Sequence, residues 1–378
     1  MINTMKKINV LQITHDLRIG GLQEVVVNIC RSIDKSRFNV KVLCLRDKGP
    51  LSTKIEKLGI DVIEIEKRPG KVDYFAFTKV AKIIKDNNID VVHTHNTQPF
   101  VDGTLGALLA GRKLIVHTDH ARDFPDKYRY MFAEWLMSQF AYKVVGVSAH
   151  TCENLRKYEH ISSKKLQVIE NGVDGDIYRK DIDYKKKCAE LGISPDDLVI
   201  GLGVRLVEQK GISYLLHAMN KLISDYPNIV LLIAGEGDQR RALEEMSVDL
   251  KLGKHVKFLG PRMDIDEILK VIDIYVLPSF WEGLPMVLLE AMASGCPIVA
   301  TNVGGVGKAI EHGVNGTLIP PRDSDAIYLA IKELIDNPEL RDAYAESGQK
   351  IFDKKFSSKG MVDKYQDIFI SGFTEKNV

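Results

Sequence analysis

Short apolar runs rich in Val and Ile alternate with longer amphipathic segments along nearly the whole chain. That alternation is the signature of βαβ units closing into parallel sheets, whose buried strands read as continuous apolar runs. The pattern predicts seven strands in the first half, near residues 8–14, 39–45, 61–65, 90–93, 114–117, 143–147 and 166–169. Six more are predicted in the second half, near 198–203, 228–234, 255–258, 274–277, 297–300 and 317–319. Each half therefore has enough strands for a doubly wound sheet of its own. Between Ile169 and Leu198 runs a polar, charge-dense stretch that predicts a linker, with the domain boundary in Gly172–Asp183. No short internal repeat is visible, so the halves share an architecture and not a sequence.

Composition narrows the class. A length of 378 residues fits two domains of about 100–200 residues each, and 45% hydrophobic with 27% charged residues is a soluble globular balance. The net charge of +1 argues against a dedicated nucleic-acid binder. It hides an asymmetry: residues 1–180 carry 29 Lys+Arg against 21 Asp+Glu, a net +8, and the remainder 23 against 30, a net −7. Cys30, Cys44, Cys152, Cys188 and Cys296 are odd in number and scattered, which suits reduced thiols in a cytosolic protein better than disulfides or a zinc site. The amino-terminal apolar run is broken by Gln12, His15 and Asp16 and suits a buried strand better than a signal peptide. No stretch approaches the ~18 apolar residues of a membrane span, so any expected membrane contact is peripheral.

Ligands of open parallel sheets bind at the carboxyl ends of strands, so the candidate chemistry is sought there. After the first strand, His15 to Gly21 ends in Gly20-Gly21, where positive φ and a helix N-terminus would let backbone N–H groups approach an anion; a tight turn is the rival reading. In the second half, Gly203 to Gly211 follows a strand and places Arg205 and Lys210 in a loop, suited to neutralising a diphosphate or simply to forming a solvated charged loop. Further strand ends carry Gly235 and Gly237, then Gly304 and Gly305, which together suggest one phosphate-lined crevice. The segment Pro278 to Gly295 is the most informative. Pro285 fits a first helical position, with Glu282 in the loop beside the N–H groups of Gly283, Leu284 and Met286, and Glu290 inside an apolar helix. A carboxylate there is costly unless hydrogen-bonded, by ribose hydroxyls or by a nearby Lys or Arg.

These motifs resemble retaining glycosyltransferase family 4, the group 1 glycosyltransferases, over nearly the whole chain. The glutamates Glu282 and Glu290, separated by seven residues, match the family's paired glutamates, and Val204-Arg205-Leu206 with Lys210-Gly211 matches its phosphate loop. Gly20-Gly21, Val147-Ser148 and Asn171 to Asp174 match further elements in the expected order. The resemblance implies an α/β fold of the GT-B type, two Rossmann-like doubly wound domains facing a central cleft. It divides the chain into an acceptor-binding domain, 1–175, and a nucleotide-sugar-binding domain, 176–356, with a carboxyl-terminal helix at about 357–378 packing back on the first. It also implies transfer of a sugar from a UDP- or GDP-sugar, with retention, to a glycan or lipid-linked acceptor in cell-envelope or exopolysaccharide synthesis. Arg205 and Lys210 would hold the donor diphosphate, Glu290 the ribose and Glu282 the transferred sugar. Gly20, Gly21, Gly235, Gly237, Gly283, Leu284, Pro285 and Met286 complete the expected donor contacts. Two positions depart from the pattern: Lys308 stands where the family usually has Glu, and Gln23 where a Gly-Gly-x-Glu turn is common.

Two histidine clusters follow strands, His93 to His95 and His117 to Arg122. No acidic or Cys companion is suitably spaced for a metal, and Asp181-Ile182-Asp183 and Asp264-Ile265-Asp266 sit in a linker and at a helix start, so no metal site is expected. No cofactor is expected beyond the nucleotide sugar as co-substrate. In the resembling family a histidine after the fifth strand lies near the donor sugar and acceptor. His120 is the candidate, with His117 the alternative if the strand ends earlier, and a satisfied core histidine is the rival reading. His15, His117 and Arg122 are the candidate acceptor contacts. The aromatic segment Tyr128 to Met137 reads as a buried helix or as a surface helix touching a bilayer that presents the acceptor. The alternative function is a nucleotide-sugar epimerase or another non-transferase on the same scaffold. The basic first half makes weak attraction to anionic membrane an expectation, at the inner face of the membrane.

Overall fold

The computed structural model describes residues 7–65, 75–111, 114–120 and 125–377. The chain forms two compact units: residues up to Gly172 together with the helix Ser358–Asn377, and Val173–Ser357.

Among the described residues the first unit has seven parallel strands, β1 (Ile8–Thr14), β2 (Phe38–Cys44), β3 (Val62–Glu64), β4 (Val91–His95), β5 (Leu114–Asp119), β6 (Lys143–Gly146) and β7 (Leu166–Val168). Their order is β3-β2-β1-β4-β5-β6-β7. The central strands β1, β4 and β5 form because their side chains are buried on both faces. Leu11 and Ile13 of β1 pack with Leu43, Val92, Ile115 and, from the helix Thr97–Leu109, Phe100. At about 1.5–3 kcal/mol per fully buried large aliphatic side chain, this layer dominates the unit's stability. β4 and β5 each continue two residues beyond their apolar runs, because His95 pairs in register with Thr118 and the ladder carries the polar residues onward. The helix Ser358–Asn377 closes one face of this sheet. Phe369 packs edge-on to Phe38 at 6.2 Å, and the Tyr365 hydroxyl lies 3.0 Å from Thr118 Oγ1. The Gln366 side chain accepts the Asp34 backbone N–H at 2.8 Å.

The second unit has six parallel strands among the described residues, β8 (Leu198–Gly203), β9 (Ile229–Ala234), β10 (Val256–Gly260), β11 (Ile274–Leu277), β12 (Ile298–Thr301) and β13 (Thr317–Ile319). Their order is β10-β9-β8-β11-β12-β13. Local chemistry fixes the helix ends: Asp183 caps Tyr184–Leu191 by accepting from the Lys186 N–H at 3.1 Å, and Asp323 caps Ser324–Asp336 through Ala326 N–H at 2.9 Å. The helix Met286–Ser294 ends on Gly295 at φ 80°, a left-handed cap that favours glycine. Pro285 precedes this helix as its cap instead of occupying its first turn.

In both sheets the strand order reverses once, between β1 and β4 and between β8 and β11. The carboxyl ends at these switch points are where open parallel sheets leave a crevice for ligands.

Candidate functional site

In the first unit the switch point carries a polar cavity of about 280 Å³. Its lining comes from the loop after β1 (Thr14, His15, Asp16), from Leu22 and Gln23, and from the end of β4 and the following turn, His95 to Pro99. Asp16 organises the β1 loop, accepting from the Arg18 backbone N–H at 3.2 Å and from the Gln23 amide at 3.1 Å. Gln23, a departure from the family's usual Glu, thus has a structural partner. Burial, helped by the Arg46 charge, holds His15 below the usual histidine range. Gly20 is extended at φ 178°, a conformation any residue adopts, so the Gly20-Gly21 pair is not there for positive φ as expected. The strained residue is instead Asn96, at φ 65° and ψ 173°, immediately before the helix Thr97–Leu109. Backbone strain of this kind costs of order 1–3 kcal/mol and clusters at functional sites. The Asn96 side-chain oxygen accepts the His120 backbone N–H at 3.3 Å.

The histidines divide by strand parity. His117 lies on one face of β5, 1% exposed, stacked on Phe100 at 3.8 Å with its Nδ1 2.9 Å from Thr94 Oγ1. It is a core histidine, and the structure does not bring it to a surface where an acceptor could touch it. His93, His95 and His120 share the other face in a row of ring contacts, with His93 also against Tyr365 at 4.9 Å. His95 Nδ1 is 3.1 Å from His120 Nε2 and its Nε2 is 2.9 Å from Gln12 Oε1. Burial pushes His93 and His120 down to about 3, and burial with the neighbouring histidines holds His95 well below the usual range, so all three rings are neutral at physiological pH. Arg122 lies outside the described residues. The expectation that these histidines lack acidic companions is corrected, because the helix Tyr128–Ser138 brings Glu134 beside His117 and Asp119, with ligand atoms within 4.8 Å of one another. Each of the three already has an interaction partner, and the group carries no metal assignment. The helix itself is not buried as the simpler reading expected: Met131, Glu134 and Met137 face inward, whereas Phe132 is 61% exposed and Tyr128, Trp135 and Leu136 also face solvent.

The second unit places Arg205, Lys210, Glu282 and the start of the helix Met286–Ser294 on the loops after β8 and β11, the two strands of its switch point. Lys210 and Glu282 meet: Nζ donates to Oε1 at 2.5 Å, and the Ser279 hydroxyl donates to the same oxygen at 2.7 Å. Gln209 ties the loops together, its amide donating to Trp281 O at 2.7 Å and its carbonyl accepting Phe280 N–H at 2.7 Å. Arg205 is exposed and has no side-chain hydrogen bond or ion pair among the described residues. Glu290 is 7% exposed at the middle of its helix and has partners of its own. The side chains of Leu284, Pro285 and Met286 are buried, so what this segment offers a ligand is backbone N–H, the first of which in any helix have no intrahelical partner. Lys308 is exposed on the short helix Val306–Ala309.

The glycines of these turns have a role the sequence did not disclose. A Cβ on Gly235 would lie 1.9 Å from Val204 O, one on Gly237 2.3 Å from Leu206 O, and one on Gly304 1.8 Å from Glu282 O. The expected phosphate-cradling glycines are therefore required first by the packing of loop backbone on loop backbone. One member of each Asp-x-Asp pair is committed elsewhere. Asp183 is a helix cap, and burial of Asp264 is outweighed by Arg262 and Lys187, which hold its carboxyl down to about 2.

Comparison with known proteins follows the same division. A family model described as Glycosyltransferase Family 4 matches residues 19–176, and one described as Glycosyl transferases group 1 matches 183–351. An uncharacterized glycosyltransferase of Methanocaldococcus jannaschii is 32% identical over 90% of this chain and 91% of its own. The chain is a family 4 glycosyltransferase. The UDP-Gal:alpha-D-GlcNAc-diphosphoundecaprenol alpha-1,3-galactosyltransferase of Escherichia coli is 27% identical across the full length of both chains. Among solved structures, HepE from Anabaena in complex with UDP-glucose superposes with a TM-score of 0.84 at 24% identity, covering 96% of this glycosyltransferase and 99% of HepE. The fold is GT-B, as the motif resemblance implied. Among the described residues of this glycosyltransferase, no helix is long and apolar enough to cross a membrane.

Proposed function

We propose that this glycosyltransferase moves a hexose from a UDP-sugar, with retained anomeric configuration and without a metal ion, to a lipid-linked sugar diphosphate in the assembly of a cell-envelope polysaccharide. The observation that carries the reading is the convergence of Arg205, Lys210 and the N-terminus of the helix Met286–Ser294 at one switch point. Cations and unpaired N–H groups there suit a leaving diphosphate, whose stabilisation is mainly electrostatic work. Glu282, already hydrogen-bonded by Lys210 and Ser279, has a second carboxylate oxygen to offer sugar hydroxyls, and Glu290 suits the ribose. In the reaction the anomeric C1–O bond to the diphosphate breaks and the acceptor oxygen bonds C1 on the same face. Its proton passes to the departing diphosphate oxygen. UDP is favoured as the nucleotide, and a lipid diphosphate as the acceptor's carrier, by the full-length likeness to the Escherichia coli enzyme named above.

The protein would meet such an acceptor at a membrane surface. The exposed face of Tyr128–Ser138, with Phe132, Trp135 and Leu136 beside Lys127 and Arg129, has the composition of an interfacial helix. The test is incubation with UDP-galactose, UDP-glucose, UDP-N-acetylglucosamine and GDP-mannose, each with a polyprenyl-diphosphate N-acetylglucosamine acceptor and with EDTA present. Acceptor-dependent release of UDP in EDTA supports the proposal. Release only with GDP-mannose, activity that EDTA abolishes, or interconversion of UDP-sugars without transfer would each overturn part of it.

A further inference from the structure

Gln12 is a fully buried amide in strand β1, between Leu11 and Ile13. Its Oε1 lies 2.9 Å from His95 Nε2, while its own Nε2 has no partner among the described residues. A carbonyl oxygen only accepts, so the proton of this contact belongs to His95 Nε2. The His95 ring is neutral, so its Nδ1 carries a lone pair, and that nitrogen is 3.1 Å from His120 Nε2. His120 must therefore supply the proton from Nε2. Since His120 is neutral too, its remaining nitrogen, Nδ1, is left as an acceptor with no hydrogen-bond partner among the described residues. His120 is also the one of these three histidines that keeps measurable exposure, 8% against 0% for His93 and His95.

We propose that Gln12 and His95 are positioning residues that fix His120 in the tautomer protonated on Nε2, so that its Nδ1 accepts a hydrogen bond from a sugar hydroxyl. An unprotonated nitrogen selects a hydroxyl donor and disfavours a phosphate oxygen, which would need an N–H. The inference rests on the reading of His120 as a group that meets the sugar, yet it can fail separately, because the tautomer is read without any substrate.

The experiment is long-range proton–nitrogen correlation NMR on the full chain labelled with ¹⁵N-histidine, the His120 signals being those absent from His120→Ala. The expected result is a neutral His120 protonated on Nε2. Gln12→Met, which keeps the bulk and removes the acceptor, should then show both tautomers, with kcat lowered about tenfold and donor KM little changed, the scale of one orienting hydrogen bond. A His120 protonated on Nδ1 in the wild-type protein overturns the inference whatever the activity, as does a Gln12→Met protein with the tautomer and kcat both unchanged. If Gln12→Met does not fold, the wild-type spectrum decides. A correct tautomer in a protein with no transferase activity would count against the proposed reaction and leave the hydrogen-bond chain standing.

Discussion

Mild acid should weaken the first unit selectively. His93 and His120 are held down to about 3, and His95 well below its usual range, so the native unit binds none of these protons as the pH falls from 6.5 toward 3. Once unfolded, the same imidazoles protonate near 6.5. The unfolded state therefore binds more protons across this window, and stability must rise with pH within it and fall on acidification. At about 1.4 kcal/mol per pH unit, each histidine costs about 2 kcal/mol at pH 5 relative to pH 7. His93 and His120 together thus cost about 4 kcal/mol, with His95 acting in the same direction. In the second unit the lowered carboxylate Asp264 loses its contribution only as the pH falls from the ordinary carboxylate range toward about 2, so it adds little between pH 7 and pH 5. The chain supplies its own reporters, because its two tryptophans fall one in each unit, Trp135 in the first and Trp281 in the second. Urea unfolding of Trp281→Phe follows the first unit and that of Trp135→Phe the second. With a urea dependence of about 2 kcal/mol per molar, the Trp135 transition should move down by about 2 M between pH 7 and pH 5. A Trp135 transition that moves no more than the Trp281 transition would refute the claim that these histidines are buried and neutral.

Three substitutions test the remaining geometry. Lys210→Met removes the partner of Glu282 and one cation of the diphosphate site, and should lower nucleotide release by about 10²-fold; an unchanged rate would take Lys210 out of the site. His120→Ala should lower turnover by about 10²-fold, and full activity would leave His120 a core residue. Gly304→Ala places a Cβ 1.8 Å from Glu282 O at a φ of 52°. It should destabilise the second unit by more than about 1 kcal/mol, lowering its melting temperature by about 3 °C or more; an unchanged transition would mean the loops part freely.

The strands were legible because a fully buried parallel strand must be apolar along its length, and Leu198–Gly203 or Ile274–Leu277 can be nothing else in a two-sheet chain. The signature glutamates and the Arg205–Lys210 loop were legible for a similar reason, since charged residues stood out against apolar surroundings. What was hidden depends on neighbours distant in sequence. Composition made Tyr128 to Met137 look buried, but exposure is set by what packs on the helix, and only Met131, Glu134 and Met137 are covered. His117 and His120 could not be assigned to opposite faces until β5 was seen to run to Asp119. Gln12 merely interrupted an apolar run, and its meaning came from His95, 83 residues away. The turn glycines suggested anion binding, whereas the carbonyls that exclude a Cβ belong to adjacent loops.

The most direct test of the central claim is proton NMR of the product formed from an α-linked UDP-hexose and a short-chain prenyl-diphosphate N-acetylglucosamine acceptor. Transfer with retention predicts a new anomeric proton with the small coupling of an α linkage, appearing in step with free UDP. A β-linked product would contradict retention, and no UDP release with any nucleotide sugar and acceptor would contradict the proposed reaction itself.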